Sequence, residues 1–99
     1  MTINGDKHPF TDENFSNSPD KPGVYQLYDG NTVIYIGKAT VSIQSRLRSH
    51  KSGDEGSCTK GASHYKREVT SSPTAREREL LQEYKDSYGK LPRCNDVMP

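Results

Sequence analysis

The sequence predicts an α+β fold, a small three-stranded antiparallel sheet covered by helices in the order ββαβα. Three observations predict it. Residues 23–37 hold two short runs rich in β-branched and aromatic side chains, parted by Asp29-Gly30-Asn31. Apolar residues then recur at helical spacing, first at Ile43 and Leu47 and later at Leu80, Leu81, Tyr84 and Tyr88. Between those helical stretches, His64 to Thr70 again has the composition of a strand.

Each element has a local reason. Gly23-Val24-Tyr25-Gln26-Leu27-Tyr28 and Thr32-Val33-Ile34-Tyr35-Ile36-Gly37 form a hairpin, because Asp-Gly-Asn supplies turn chemistry between them. A three-residue loop would place Tyr25 directly opposite Tyr35, on one face of the sheet. The first helix runs from Thr40 to about Ser52, capped by Thr40 or Ser42 and ended by Gly53. Residues 53–63 read as loop. Ser72-Pro73 opens the second helix, with Ser72 as cap and Pro73 in the first turn, and Gly89 closes it. Leu91 to Asn95 is an extended tail. Residues 1–22, rich in Asn, Asp, Ser and Pro, read as a loosely ordered arm. One helical turn is expected there after Thr11-Asp12-Glu13, with Phe10 and Phe15 holding the arm down. The domain proper then spans 23–99.

Composition narrows the classes. The chain has 99 residues, and Val, Ile, Leu and Phe number only 16 of them, so six tyrosines must share the packing. A net charge of +1 argues against disorder by self-repulsion. No apolar run is long enough to span a membrane, and no export signal opens the chain. Cys58 and Cys94 make no disulfide framework, so reduced thiols and a cytoplasmic setting are expected. The charge is uneven. Residues 1–30 carry −3, residues 38–67 carry +5 and residues 68–99 carry −1. The basic middle, which includes Lys38, Arg48, Lys51, Lys66 and Arg67, suits a polyanion partner or an ordinary solvated surface equally.

Three patterns break their own rules. Arg46 and His50 lie on the apolar stripe of the first helix, whereas Arg48 points away. A cation on a core-facing stripe is costly unless it is paired, lines a site or snorkels outward. Glu77 lies on the stripe of the second helix, three and four residues before Leu80 and Leu81. A carboxylate in a first turn also complements the helix dipole. Glu79 and Glu83 sit among Arg76, Arg78 and Lys85, where exposed ion pairs are the ordinary role. Tyr25 and Tyr35 share a face, which could be packing or could present two phenols to a phosphate.

Gly23-Val24-Tyr25, nine residues, then Tyr35-Ile36-Gly37-Lys38-Ala39 resembles the paired signature of the GIY-YIG nuclease superfamily. The Lys-Pro-Gly-Val-Tyr lead-in is similar to that of the nuclease domain of the bacterial excision-repair incision subunit and its small standalone relatives. The likeness continues through Arg46-Leu47-Arg48-Ser49-His50, Glu77-Arg78-Glu79-Leu80-Leu81 and Pro92-Arg93-Cys94-Asn95, covering about residues 21–96. It implies a DNA endonuclease dependent on Mg²⁺ or Mn²⁺. Glu77 would bind the metal and Arg46 the scissile phosphate. Tyr25 or Tyr35 would activate water, and Asn95 would order the site. Gly23 and Gly37 are the structural glycines of the signature.

The chemistry suits those residue types. A phosphodiester needs charge neutralised on a non-bridging oxygen, which a guanidinium fork supplies. One carboxylate with retained waters suits Mg²⁺. His50, one turn from Arg46, is an alternative base or a partner that holds a tyrosine. Alignment back from Asn95 would make Glu83 the ligand instead of Glu77. His50, Cys58, His64 and Cys94 could ligate a softer metal, but their spacing matches no zinc template. No appended DNA-binding module is visible in residues 1–99, so a protein partner, a homodimer or low specificity is expected. The other functional reading is a catalytically inactive domain of this fold that binds nucleic acid or protein.

Overall fold

The computed structural model describes Ile3 and residues 5–95; the ends of the expected arm and domain, at 1, 2, 4 and 96–99, lie outside the described residues. The element order is β1 (His8–Pro9), α1 (Asp12–Ser16), β2 (Gly23–Asp29), β3 (Thr32–Ala39), α2 (Ile43–Ser52), α3 (Ser57–Lys60), β4 (His64–Val69) and α4 (Pro73–Tyr88). The fold is α+β, as expected, but the sheet has four antiparallel strands rather than three, in the order β1-β4-β2-β3.

The fourth strand comes from the expected arm. His8 and Pro9 pair with Tyr65 and His64 at the outer edge of β4. A proline is tolerated there because an edge strand leaves some N–H positions unpaired. The helical turn after Thr11 is α1, where the Thr11 side chain accepts from the Asn14 backbone N–H. Residues 8–16 thus contain β1 and α1. Phe15 is fully buried, packed with Phe10 and Tyr65. Phe15→Ala should cost about 3–5 kcal/mol in urea unfolding, the usual loss for a buried phenylalanine. An unchanged midpoint would mean that this segment is dispensable.

β2 is central, so its residues are buried on both faces. Tyr25, Leu27, Ile34 and Ala39 join Phe10, Phe15, Ile43, Leu47 and Tyr65 in a core under α1 and α2. Val24 and Ile36 join Ile3, Leu80 and Leu81 in a second core under α4. The hairpin turns on Gly30-Asn31 alone, since Asp29 pairs with Thr32. A β-bulge between Leu27 and Tyr28 then shifts the register by one. Tyr25 and Tyr35 do share a face, but Tyr25 is opposite Gly37 and Tyr35 is opposite Leu27. The expected direct Tyr–Tyr pairing is corrected to a diagonal one, with ring centroids 6.2 Å apart.

Helix ends fall near the expected places. Ser42 caps α2 through the Ser45 N–H, and Gly53 ends it with φ 92°, a backbone only glycine adopts freely. Ser72 precedes α4 without a side-chain cap, and its own N–H donates to the Thr70 hydroxyl. The expected loop 53–63 contains the single-turn α3. Cys58 and Cys94 form a disulfide, which corrects the expectation of reduced thiols and of cysteines available to zinc. Disulfides are rare in the cytosol, so the pairing removes one ground for a cytoplasmic setting. Among the described residues no helix is long and apolar enough to cross a membrane.

Candidate active site

The two layers meet around the end of β3, the outer strand of the sheet opposite β1. A pocket of about 240 Å³ opens there, lined by Tyr35, Lys38, Thr40, Arg46 and Glu77. Each lining side chain has a local cause. Tyr35 stands on the α2 face of β3. Arg46 follows the first turn of α2, on the stripe that also buries Ile43 and Leu47. Glu77 projects from the start of α4, with its carboxylate within hydrogen-bonding reach of the Lys38 backbone N–H. It is 8% exposed. Burial raises its pKa above the ordinary carboxylate value, with Lys38 and Arg46 pulling the other way.

Behind the pocket is a buried polar chain. The Tyr25 hydroxyl meets His50 Nε2 at 2.8 Å, and His50 Nδ1 meets the Thr59 hydroxyl at 2.7 Å. Arg46 lies within hydrogen-bonding reach of the same Tyr25 oxygen. The Tyr35 ring is 4.8 Å from that of His50, closing an aromatic cluster. Tyr25 is fully buried, and that burial, with Tyr35 beside it, raises its pKa. His50 is 1% exposed, and burial with Arg46 nearby lowers its pKa to about 4. Neutral imidazole and neutral phenol are thus the resting states.

That shift carries a stability prediction. An unfolded histidine takes a proton near pH 6.5, whereas His50 in the fold refuses it until about 4. Between those values the unfolded chain binds the extra proton. His50's contribution is therefore complete above about pH 6.5 and falls on acidification, by on the order of 3 kcal/mol near pH 4. Urea titrations at pH 7 and 4.5 should show a smaller acid loss in His50→Gln than in the unaltered chain. Equal losses would contradict the assignment.

The two signature glycines have steric causes. A Cβ on Gly37 would lie 2.6 Å from the Tyr25 ring and hydroxyl and from Tyr35 Cε2. A Cβ on Gly23 would lie 2.2 Å from the Glu68 carbonyl oxygen and 2.6 Å from Ile43 Cδ1. Gly37 thus makes room for the tyrosine pair, and Gly23 lets β2 pass beneath α2 and beside β4.

Asn95 is outside the pocket and acts on β3 from its free edge. Its side-chain amide accepts from the Ile36 N–H and donates to the Ile36 carbonyl, both at 2.9 Å. The Cys94 N–H donates to the Ile34 carbonyl. The tail thereby satisfies an open strand edge between Tyr35 and Gly37.

The other glutamates lie elsewhere. Glu79 pairs with Arg76, and Glu83 lines a separate cavity with Gln26, Leu80, Tyr84 and Tyr88. Among the expected DNA contacts, Lys38 is at the pocket, where its ammonium donates to the Thr74 hydroxyl. Arg48 bonds Gln44 and Ser16 on the far side of α2, and Lys51 lies over the Phe10 ring. Arg67 bonds Ser18, whereas Lys66 bonds the Ile3 carbonyl by the α4-side core. These five cations do not form one patch. Sequence reasoning missed Thr40, Thr59 and Glu55. Glu55 forms a 2.5 Å ion pair with Arg46. Glu55 and Thr59 lie in a segment without periodicity, and Thr40 carries only a helix-capping signal.

The donor set can be tested against a hard cation. Among the described residues no three His, Cys, Asp or Glu side chains come together to hold a metal. Glu77 offers one oxygen-donor carboxylate beside a pocket that is large enough for several waters. That suits Mg²⁺ or Mn²⁺, which keep much of their hydration, and not zinc.

Residues 21–90 match the family model described as the GIY-YIG catalytic domain. Among solved structures, the fold is similar to the GIY-YIG N-terminal endonuclease domain of UvrC from Thermotoga maritima, bound to magnesium as its catalytic divalent cation. Identity is 24% and the TM-score 0.61, covering 85% of this chain and 93% of that one. Two tyrosine-to-phenylalanine mutants of that domain match at 23% identity and the same TM-score, covering 85% and 86% of this chain and 93% of theirs. Comparison with the curated proteins finds no match.

Proposed function

Because the chain belongs to the GIY-YIG family, we propose that it is an endonuclease that hydrolyses DNA phosphodiester bonds with a divalent metal. The observation that carries the reading is the pocket itself: a guanidinium, a carboxylate and a phenol from three different elements line one cavity. Arg46 binds a non-bridging phosphate oxygen through its fork and neutralises charge that grows as the phosphorus is attacked. Glu77 would hold Mg²⁺ or Mn²⁺, which would supply Lewis-acid polarisation of the phosphate and charge stabilisation for the departing oxygen.

Tyr35 is the lining group placed to bond and orient the attacking water, and as a phenolate, its own proton lost to solvent, it would take that water's proton; Tyr25 is fully buried behind it. Tyr25, His50 and Thr59 position Arg46 and Tyr35. A neutral His50 accepts the Tyr25 proton in a hydrogen bond, which turns the Tyr25 oxygen toward the Arg46 guanidinium. Asn95 fixes β3 between Tyr35 and Gly37. Lys38, at the pocket, adds affinity for the backbone that weakens with salt. A protein partner or a second copy would supply preference for a DNA structure.

The test is incubation with Mg²⁺ or Mn²⁺ and a panel of single-stranded, duplex, nicked and branched DNAs, with EDTA controls. Metal-dependent cleavage of at least one member is expected. Binding without cleavage of any member would favour the inactive binding module.

A further inference from the structure

Arg46 is already engaged. Its Nη1 meets Glu55 Oε2 at 2.5 Å, and the two side chains are only 38% and 25% exposed. Glu55 does not dangle on a long loop. It lies in the turn between Gly53 and Gly56, both at positive φ. Backbone bonds from Gly53, Asp54 and Gly56 to His50, Ser49 and Gly53 close that turn. The helical turn that follows is anchored twice, by Cys58 to Cys94 and by Thr59 to His50. The fold thus holds a carboxylate against the guanidinium that the nuclease reading assigns to phosphate.

Carboxylate and phosphate present the same feature to arginine, two anionic oxygens that accept from one fork. The N–H that Glu55 takes is not available to a phosphate, and Glu55 adds a like charge beside an arriving one. Resting on the nuclease reading, we propose that Glu55 is a built-in phosphate mimic that a DNA phosphate must displace from Arg46. The carboxylate keeps the guanidinium oriented and neutralised in the free protein. It raises the threshold for weak anions and for loosely held backbone. It yields where several phosphates are held at once, so it acts on specificity.

The experiment is a binding titration of labelled single-stranded and duplex oligonucleotides in EDTA, where nothing is cleaved. Glu55→Gln should bind about tenfold more tightly, through loss of a competing charge at the contact itself. Asp54→Asn removes the same charge one residue away and should change affinity less than about twofold. In an Arg46→Gln background the Glu55→Gln gain should shrink to the Asp54→Asn level. Glu55→Ala is a second variant with the same expectation. With metal present, the gain should appear as a lower KM and not as a higher kcat.

Equal effects of Glu55→Gln and Asp54→Asn would overturn the inference, as would a gain that survives without Arg46 or a loss of affinity. If the unaltered chain cleaves DNA while Glu55→Gln matches it, only this inference fails. If the unaltered chain neither binds nor cleaves any DNA, the nuclease reading fails and takes the inference with it.

Discussion

Glu77→Gln should lose at least about a thousandfold in metal-dependent cleavage while keeping the fold. A cation that polarises a phosphate is worth several kcal/mol of barrier, and each 1.36 kcal/mol is tenfold in rate. A neutral amide is a poor ligand for a hard ion. The fold should survive because glutamine has nearly the same volume and still offers an oxygen to the Lys38 N–H. Burial already disfavours the charge on Glu77, so removing it relieves a desolvation cost. Glu79→Gln and Glu83→Gln should stay within a few-fold, since one carboxylate is paired with Arg76 and the other lines a different cavity. A dead Glu83→Gln beside an active Glu77→Gln would move the metal to the other end of α4.

The second large effect concerns the disulfide. Cys58 and Cys94 are 36 residues apart, and closing a loop of that length removes unfolded-state entropy equivalent to about 4 kcal/mol. Replacing both by serine should lower stability by about 2–4 kcal/mol and Tm by on the order of 10–20 °C. Activity at low temperature should also fall, because the bond joins the turn bearing Thr59 to the tail bearing Asn95. A double variant with unchanged Tm would show that α3 and the tail are held by their hydrogen bonds alone.

What was legible in the sequence follows local pattern. The hairpin announced itself by composition and turn residues, and α2 and α4 by apolar spacing with glycine stops. Glu77 and Arg46 were visible because each interrupts an apolar stripe, and a buried charge needs a reason. The shared face of Tyr25 and Tyr35 followed from period-two alternation. Their diagonal register did not, because it depends on a two-residue turn and a bulge that compensate each other. β1 escaped because two residues, one of them proline, carry no strand signal; only pairing with β4 makes them a strand. The Cys58–Cys94 bond, the Glu55–Arg46 pair and the Thr59–His50 contact arise where chain segments meet in space. Residues 53–60 have no periodicity from which those meetings could be read.

On the nuclease reading, the pocket between β3, α2 and α4 is where a divalent cation and a phosphate meet. Mn²⁺ titrated into ¹⁵N-labelled protein tests it without knowledge of the DNA substrate. Paramagnetic broadening is expected to centre on the amides of Lys38, Thr40 and the first turn of α4 and to be abolished by Glu77→Gln. Broadening centred on Glu83 and Asp86, or a pattern that Glu77→Gln leaves unchanged, would contradict it.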